Sequence, residues 1–327
     1  MKSSDKPLIS VIVPVKNGDA WLDKLLQSIL NQTLANRTEI IVIDSGSTDD
    51  TLSILANYSV RLISISPENF NHGTTRNMGV EYAKGEFVVM TVQDAKPTDN
   101  KWLEHLLNGF DDTSVAGVCG QQVVPHDLRT NPVEWFRPIS PPGKRKVYFK
   151  SEQEFLSLSP NERKSLCGWD NVNAMYKKEI LLKHPFREVS FAEDALWAHD
   201  ILKLGYSIVY NTNARVYHYH YETPDYTFRR SFTELYHRYK IFGTRPELPK
   251  NGLLTTLRHV KILLKEQNIS WLEKYNWLIF NYNNRKASEA SVFIFNQALS
   301  RGDEELEKQH DFYCKSVPQA NKPITLI

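Results

Sequence analysis

The sequence lacks any uninterrupted apolar run of the ~18 to 20 residues that a transmembrane helix requires. Residues 1–6 are mostly polar, and no apolar core of a secretory signal peptide follows them. These two absences predict a protein of the cytoplasm that is at most peripheral to a membrane.

Cysteine is scarce, and the three copies, Cys119, Cys167 and Cys314, show no spacing typical of a metal site. An odd and scattered set favours a reducing compartment over secretion, and we assign these thiols no chemistry. A surplus of one charge is also missing, because 40 basic residues face 38 acidic ones and the net charge is +2. Charge alone therefore predicts no nucleic-acid partner.

Short β-branched runs alternate with amphipathic helical patterns in the first hundred residues. Gly, Pro, Asn or Asp bounds most of them, which separates strands from turns. The alternation predicts a parallel α/β sheet that binds a nucleotide. The predicted strands are 8–15, 39–44, 60–64 and the run after Gly85, and the predicted helices include 21–30 and 78–83.

Asp94 follows the buried strand that begins after Gly85. In an open α/β sheet, ligands bind at the carboxyl ends of the strands, where a carboxylate can hold a divalent cation that bridges the phosphates of a nucleotide. The alternative is that Asp94 only begins a turn closed by Pro97.

The composition of the chain changes in its middle part, where prolines become frequent. A helix is predicted over 102–110 and a strand over 115–124, after which the proline-rich segment 125–160 is predicted to be irregular. Its basic cluster, Lys144 to Lys146, is either a solvated loop or a site for an anionic ligand or a membrane headgroup. Further on, we predict a helix from Glu193 that Gly205 stops, a strand over 207–210 and an extended piece over 214–220.

The last third is aromatic, basic and helical. Helices are predicted across 253–265, 270–280 and 288–299, and the tail over 316–327 is predicted to be disordered. One further helix has an apolar face edged with positive charge. This face either lies on an anionic membrane surface or packs on the catalytic domain or a second subunit. Its apolar residues are Phe228, Phe232, Leu235, Tyr236 and Tyr239, and its cations are Arg229, Arg230, Arg238 and Lys240.

Three carboxylates, Asp44, Asp94 and Asp194, lie at strand ends or at a helix start. Each alone is typical of a cap or turn. Together with Arg76, whose guanidinium offers fixed donors to phosphate, they predict a site for a nucleoside diphosphate. The pair Glu193 and Asp194 indicates a general base.

Several ordered motifs resemble family 2 inverting glycosyltransferases of GT-A fold. These are residues 10–17 (Ser-Val-Ile-Val-Pro-Val-Lys-Asn), 43–51 (Ile-Asp-Ser-Gly-Ser-Thr-Asp-Asp-Thr), 76–79 (Arg-Asn-Met-Gly) and the Glu193–Asp194 pair. Other motifs resemble the rhamnosyltransferase subgroup, which builds bacterial surface polysaccharides: 70–77 (Phe-Asn-His-Gly-Thr-Thr-Arg-Asn), 93–97 (Gln-Asp-Ala-Lys-Pro), 170–174 (Asp-Asn-Val-Asn-Ala) and 216–220 (Val-Tyr-His-Tyr-His). The likeness spans residues 7 to 222.

The resemblance implies a role for each matching residue. Asp44 would contact the nucleotide base, Arg76 the nucleoside diphosphate and Asp94 a metal, with Asp194 as general base. The metal would be Mg²⁺ or Mn²⁺, with His218 or His220 as a further ligand, and imidazole suits Mn²⁺ better. The nucleotide-sugar set would be Pro14, Asp44, Arg76, Gln93 and Asp94. The acceptor or sugar contacts would be Asp170, Asn171, Glu193 and Trp197. For Trp197 a core position is the alternative.

One motif departs from the family. The usual Asp-x-Asp is here Val92-Gln93-Asp94, so a single carboxylate remains for the metal.

The implied architecture is a Rossmann-like, mostly parallel GT-A sheet in residues 1–222, with a nucleotide-sugar half (1–124) and an acceptor half (125–222). A helical subdomain over 223–315 follows. The implied reaction is an inverting transfer of L-rhamnose from dTDP-rhamnose to a hydroxyl of a lipid-linked O-antigen or capsule polysaccharide. The acceptor would bring the protein to the inner membrane. Two alternatives are a nucleotidyltransferase, for which Glu193–Asp194 has no use, and a silent scaffold, which the missing first Asp would favour.

Overall fold

The computed structural model describes residues 6–127, 130–248 and 250–314. Within these ranges there are nine strands and twelve α-helices, together with three single turns of 3₁₀ helix. In chain order they are β1 (Ile9–Val15), α1 (Leu22–Leu30), β2 (Thr38–Asp44), α2 (Thr51–Leu55), β3 (Arg61–Ser64), α3 (His72–Tyr82), β4 (Phe87–Met90), β5 (Lys96–Pro97), α4 (Trp102–Leu107), β6 (Val115–Val123), β7 (Lys144–Val147), α5 (Glu152–Leu156), α6 (Pro160–Leu166), β8 (Ala174–Lys177), α7 (Lys178–Lys183), α8 (Glu193–Lys203), β9 (Ser207–Tyr217), α9 (Pro224–Phe242), α10 (Gly252–Lys265), α11 (Trp271–Ser300) and α12 (Asp303–Cys314).

The chain divides into two compact units. The first contains the chain up to Val123 together with Ile139–His218, and the second contains Val124–Pro138 and the chain from Tyr219 onward. All nine strands of the described residues belong to the first unit. The predicted tail over 316–327 lies outside the described residues.

One sheet runs through the first unit in the order β3-β2-β1-β4-β8-β6-β9-β5, and β7 pairs with β9. The predicted parallel arrangement is confirmed for β3, β2, β1 and β4. Next to them, β8 enters antiparallel between β4 and β6, and β9 runs parallel to β6. The carboxyl ends of the parallel strands therefore open on one edge, where ligands bind in sheets of this kind.

Burial explains the strand patterns of this sheet. Every residue of β4 is buried, and β1 is buried apart from Pro14, because helices cover both faces of a parallel sheet. On α1 the buried residues Leu22, Leu25, Leu26 and Ile29 follow helical spacing and join the same core cluster.

Helix α3 begins earlier than the sequence predicted. The prediction placed a helix only over 78–83, whereas the structure begins it at His72. The Asn71 side chain accepts hydrogen bonds from the backbone N–H groups of Gly73 (2.9 Å) and Thr74 (3.1 Å). This N-cap stabilises a first turn that contains glycine and two β-branched residues, and such a turn has low helix propensity by itself.

The prediction of an irregular segment over 125–160 was wrong for its second half. Residues Lys144 to Lys146 lie on β7, whose antiparallel pairing with β9 fixes them at a sheet edge. Lys144 pairs with Asp111 at 3.1 Å, and Lys146 pairs with Asp112. The basic cluster is therefore neither a loop nor a site for an anion, because two of its charges face carboxylates.

The second unit is helical, as predicted, but its helices are longer. The two helices predicted over 270–280 and 288–299 are one 30-residue helix, α11. The polar stretch after Phe280 interrupts the apolar periodicity without any Gly or Pro that would end a helix. Asn281 in this stretch donates from Nδ2 to the Trp277 carbonyl. The structure also contains α12, which the sequence analysis did not predict.

The apolar face of α9 packs inside the second unit. Phe232 is fully buried against Phe295 and Leu306, and the other four apolar residues of this face border the same cluster. Its three arginines pair with nearby acids, with Arg229 near Asp225 at 2.9 Å, and Lys240 lies over the Tyr236 ring. The prediction that this face contacts a membrane was therefore wrong, because α11 and α12 cover it.

No helix in the described parts of the chain combines the length and the apolarity that crossing a bilayer requires.

Candidate functional site

The Glu193–Asp194 pair occupies the first turn of α8. Ala192 before it has a φ of 63°, in the left-handed region that a residue with a Cβ rarely adopts. Such backbone strain persists only where the surrounding contacts impose it, and it is common at functional sites. No side chain caps the N-terminus of α8. The two carboxylates lie at the positive end of the helix dipole, which favours their ionised forms.

Asn171 holds both carboxylates in place. Its backbone N–H donates to Oδ2 of Asp194 (3.1 Å), and its Nδ2 donates to Oε1 of Glu193 (3.0 Å). The Asn171 Oδ1 accepts from the Tyr176 hydroxyl at 2.5 Å, which in turn accepts from the Trp169 indole at 2.7 Å. This buried chain fixes the orientation of the pair.

Arg76 pairs with Glu193. Its Nη1 lies 2.7 Å from Oε1 of Glu193, and both side chains are at least nine-tenths buried. The Arg76 Nε is buried too, and it has no hydrogen-bond partner among the described residues. The predicted contact of Arg76 with the diphosphate stays a prediction, since the contact in the structure is with Glu193.

Helix α3 docks on the segment that precedes α8. Asn77 donates from Nδ2 to the Phe186 carbonyl and accepts from the Phe186 N–H, and Asn71 donates to the Val189 carbonyl. A Cβ on Gly73 would come within 2.4 Å of the Arg187 carbonyl oxygen, so only glycine allows this approach. The motif over 70–77 thus positions the strained turn before Glu193.

Electrostatics distinguish the two carboxylates. Burial, together with the negative charges of Glu193 and Asp170, raises the pKa of Asp194 to about 8. Two backbone N–H groups bind Asp194, yet the residue keeps part of its surface accessible. A carboxylate that is accessible and titrates near neutral pH is suited to general base catalysis. Glu193 is neutralised by Arg76 and has no such access.

A second cluster lies at the end of β9. A carboxylate oxygen of Asp94 and ring nitrogens of His218 and His220 lie within 4.8 Å of one another. The His218 Nε2 lies 3.6 Å from Oδ1 of Asp94. Its Nδ1 contacts Oε1 of Gln122 at 2.7 Å, and because an amide oxygen only accepts, the ring proton lies on Nδ1. Nε2 is thereby left as the ligand atom, the arrangement found in metal-binding histidines.

These donors fit a divalent cation. One carboxylate and two imidazoles suit Mn²⁺ or a similar transition metal better than Mg²⁺, which prefers oxygen ligands. The two histidines place two further ligand atoms beside Asp94, where the usual motif has a first Asp. The sequence left open whether His218 or His220 would be the further metal ligand. In the structure both histidines lie near Asp94, so both can serve as ligands.

Asp170 and Gln122 connect the two clusters. Asp170 accepts from the backbone N–H groups of Val172 and Asn173, which places it in a tight turn before β8. Burial raises the pKa of Asp170, and a hydrogen bond from Gln122 and the nearby His218 oppose this. Gln122 also contacts His218. One amide side chain therefore contacts both the Asp170 carboxylate and the His218 ring.

The remaining predicted nucleotide contacts lie at or near the ends of β1, β2 and β4. Pro14 on β1 is paired with Ile43 on β2, next to the Val15–Asp44 pair. The Asp44 carboxylate accepts from the N–H groups of Gly46 and Ser47 and so closes its own turn. Gln93 binds the backbone of Lys16 through both its amide oxygen and its amide nitrogen. In this structure Asp44 and Gln93 therefore shape the loops, and their contacts with a nucleotide stay predictions.

Trp197 lies in the core. It is 3 % exposed, packs against Trp169, Tyr176 and Phe186, and donates from Nε1 to the His184 carbonyl. The core position, which was the alternative for an aromatic residue on an amphipathic helix, is therefore the one that Trp197 occupies. The prediction that Trp197 contacts the sugar was wrong, because the ring is packed in the core.

The sequence analysis missed Gln122 and Tyr176. Gln122 is one of two adjacent polar residues near the carboxyl end of β6, just before Val123, and polar residues at that end of a strand are a signal that could have identified it. Tyr176 gave no such signal, because a tyrosine in a buried strand is ordinary and only the fold brings its hydroxyl to Asn171.

Residues 10–182 match the sequence profile of the family described as Glycosyl transferase family 2. The chain is 35% identical over 241 residues to the O-antigen chain rhamnosyltransferase WbaN of Salmonella anatum, covering 71% of this chain and 72% of that protein. It is 29% identical over 239 residues to the O-antigen chain rhamnosyltransferase RfbN of Salmonella typhimurium, covering 70% and 72%.

Two solved structures resemble the fold. The mannosyltransferase PcManGT from Pyrobaculum calidifontis, in complex with GDP-Man and Mn²⁺, superposes with a TM-score of 0.56 at 17% identity, covering 89% of this chain and 86% of that one. Residues 1–349 of S. aureus TarS give a TM-score of 0.50 at 17% identity, covering 94% and 83%.

Proposed function

Because the chain belongs to glycosyl transferase family 2 and has the predicted GT-A fold, we propose that it transfers L-rhamnose from dTDP-rhamnose to a hydroxyl of a lipid-linked bacterial surface polysaccharide. The observation that carries this proposal is the 35% identity to a protein named O-antigen chain rhamnosyltransferase, over 71% of this chain. A nucleotide-sugar donor follows from the family, whereas rhamnose and the lipid-linked acceptor are the proposed refinements.

Asp194 acts as the general base. Its carboxylate takes the proton of the acceptor hydroxyl, whose oxygen forms a bond to the anomeric carbon of the donor. The bond from that carbon to the phosphate oxygen breaks, and the electron pair leaves with the nucleoside diphosphate. A single displacement inverts the anomeric configuration. The accessible surface and raised pKa of Asp194 support this role, and Asn171 and the Arg76–Glu193 pair orient the base.

Asp94, His218 and His220 would hold the divalent cation. When bound, the cation supplies positive charge that offsets the charge developing on the leaving diphosphate. Gln122 keeps the His218 ring turned toward Asp94.

The other donor contacts follow from the loops at the strand ends. Asp44 and Pro14 lie side by side at the ends of β2 and β1, the edge where a nucleotide binds such a sheet, and Gln93 braces the neighbouring turn. Asp170 is partly accessible and lies near His218, so we assign it the sugar contact. Asn171 is buried and its amide binds Glu193 and Tyr176, so it positions the base and does not contact the sugar.

The test is a donor screen with Mn²⁺ present. The protein is incubated with dTDP-rhamnose, UDP-glucose, GDP-mannose or UDP-N-acetylglucosamine, and release of nucleoside diphosphate is measured. We expect dTDP-rhamnose to be turned over fastest, and NMR of the product to show an inverted anomeric centre when a saccharide acceptor is supplied.

Preference for another donor would overturn the assignment of rhamnose. Pyrophosphate release from dTTP and rhamnose 1-phosphate would instead identify a nucleotidyltransferase, and donor binding without turnover under any condition would identify a silent scaffold.

A further inference from the structure

The outer side of the α10–α11 hairpin exposes an unusual amount of apolar surface. The residues concerned recur at helical spacing on each helix, and each is 42% to 74% exposed. We call this set the outer face; it consists of Leu253, Leu254, Leu257 and Leu264 on α10 and Trp271, Leu272, Tyr275 and Ile279 on α11. Clustered exposed apolar residues on this scale mark an interaction surface, because isolated ones are ordinary but grouped ones promote association.

The core of the second unit does not use these residues. The hairpin packs its inner side through Leu263, Ile269 and Trp277, all of which are buried in one cluster. Each helix therefore has a complete buried stripe and a second apolar stripe on its solvent side. Helix stability does not require the second stripe, since one apolar face is enough to hold a surface helix.

Positive charge borders the outer face. On α10 three basic residues follow Leu254 at helical spacing: Arg258, Lys261 and Lys265. This basic row lies beside the row of the other leucines of the outer face. On α11 the Lys274 ammonium lies 4.7 Å from the centre of the Trp271 ring. The two carboxylates between residues 252 and 275 are engaged locally, with Glu266 binding Asn268 and Glu273 capping α11 through Ser270.

We propose that the outer face binds the surface of an anionic lipid bilayer. An apolar row beside a basic row is the composition of helices that lie in the bilayer interface, where the leucines enter the acyl boundary and the cations contact headgroups. Trp271 and Tyr275 are the residue types that anchor proteins at this depth. The basic border favours an anionic bilayer over a second copy of this chain, whose matching face would be equally positive. The proposal deepens the proposed function, since a lipid-linked acceptor lies in such a surface, but binding to vesicles needs neither donor nor acceptor.

The test uses the full chain and two matched variants. Leu257→Gln with Arg258→Glu alters an adjacent leucine and cation on the outer face. Leu182→Gln with Lys183→Glu makes the same two changes at an exposed leucine and lysine of α7, in the first unit. Each protein is sedimented with vesicles of phosphatidylglycerol and phosphatidylcholine, or of phosphatidylcholine alone, at low and high salt.

We expect the unaltered protein to sediment with the anionic vesicles only, and more weakly as salt rises, because exposed charges are screened. The α10 variant should partition at least about tenfold more weakly, since each basic residue near an anionic leaflet contributes on the order of 1 kcal/mol. The α7 variant should match the unaltered protein. Circular dichroism of all three establishes that they are folded.

Three results would overturn the proposal. The first is equal sedimentation with neutral and anionic vesicles, and the second is an equal loss of vesicle binding in both variants. The third is a dimer, detected by light scattering, that the α10 variant disrupts, since this would show that a second copy covers the outer face. Release of nucleoside diphosphate without vesicles should be equal in all three proteins. Loss of vesicle binding with intact turnover thus separates this proposal from the catalytic one.

Discussion

At the scale of single residues, the proposed chemistry depends on two adjacent carboxylates in the first turn of α8. Asp194 is accessible and bound by two backbone N–H groups, whereas its neighbour Glu193 is buried and neutralised by Arg76. Two adjacent acids thus receive different roles from their surroundings. The accessible one is available to the acceptor, and the buried one holds the strained start of α8.

Replacing the base should separate catalysis from binding. Asp194→Asn should lower transfer by ~10²- to 10⁴-fold, the usual contribution of a general base, while donor affinity changes little. Donor affinity is measured by calorimetry and transfer by product formation. Asp200→Asn, on the same helix but paired with Arg187 at 2.6 Å, is the matched control and should stay active. Near-normal transfer in Asp194→Asn would remove this residue from the role of base.

The raised pKa of Asp194 predicts a pH dependence. The base must be ionised, so kcat/KM should fall about tenfold per unit as pH drops below about 8, and Asp194→Asn should lose this limb. A profile that stays flat between pH 6 and 9 would contradict this assignment.

The same group predicts an effect of pH on stability. Its folded pKa lies above the ordinary value of 3.8, so the folded state holds a proton that the unfolded state releases. The contribution of this group to stability is full below pH 3.8 and is lost as pH rises toward about 8. Urea unfolding should therefore show Asp194→Asn gaining stability relative to the unaltered protein at pH 8.5 compared with pH 5.

Removal of the carboxylate from the histidine cluster should weaken metal binding. We expect Asp94→Asn to lower the affinity for Mn²⁺ at least about tenfold and to reduce the Mn²⁺ dependence of dTDP binding, because the carboxylate that lies beside both histidines loses its charge. Calorimetry with Mn²⁺ alone gives a readout independent of turnover. Asp99→Asn, an exposed acid five residues further on, should bind normally. Equal Mn²⁺ affinity in both variants would exclude Asp94 as a ligand.

At the scale of elements, α3 determines the geometry of the site although the base is on α8. Asn71 caps α3 and also donates to the Val189 carbonyl, so one side chain both begins the helix and docks it. Asn77 makes a reciprocal pair of hydrogen bonds with Phe186. These hydrogen bonds hold the segment that leads to Ala192, whose φ of 63° lies in the left-handed region.

Loss of this cap should destabilise the protein measurably. Asn71→Ala should lower the free energy of unfolding by about 1 to 2 kcal/mol, the cost of losing a helix N-cap. It should reduce transfer as well, because the segment before α8 loses the hydrogen bond that Asn71 donates to the Val189 carbonyl. Asn57→Ala removes an exposed asparagine beyond α2 and should change stability by less than about 0.5 kcal/mol. Urea unfolding compares the two. Equal stability of both variants would show that the cap does not hold this region.

At the scale of the whole molecule, ligand binding should appear as stabilisation. A donor that binds only the folded protein at 100 times its Kd adds about 2.7 kcal/mol, which raises the midpoint of thermal unfolding by several degrees. We expect dTDP-rhamnose with Mn²⁺ to raise the midpoint more than either alone, because in the proposed site Asp94 and the histidines would hold the cation near the donor diphosphate. A shift with dTDP-rhamnose that Mn²⁺ leaves unchanged would contradict a shared site.

The sequence by itself determined the alternation of strands and helices up to β4, the placement of Asp94 after a buried strand and of Asp194 in a first helical turn, and the family. These features depend on neighbours a few residues apart, whose periodicity and turn chemistry are written along the chain. Even the boundaries were within a few residues where apolar periodicity was strong, as in β1, α1 and α8.

Only the tertiary structure decided which distant groups meet. Arg76 and Glu193 are 117 residues apart, and nothing local distinguishes an arginine that binds phosphate from one that neutralises a buried glutamate. The fate of the α9 face was likewise undecided, because an amphipathic stripe has the same pattern whether lipid or protein covers it. In the structure, α11 continues through a polar stretch and covers the α9 face. The outer face of α10 and α11 stays exposed to solvent. The physical reason is that local propensity fixes the elements, whereas burial is a property of their packing, which depends on the whole chain at once.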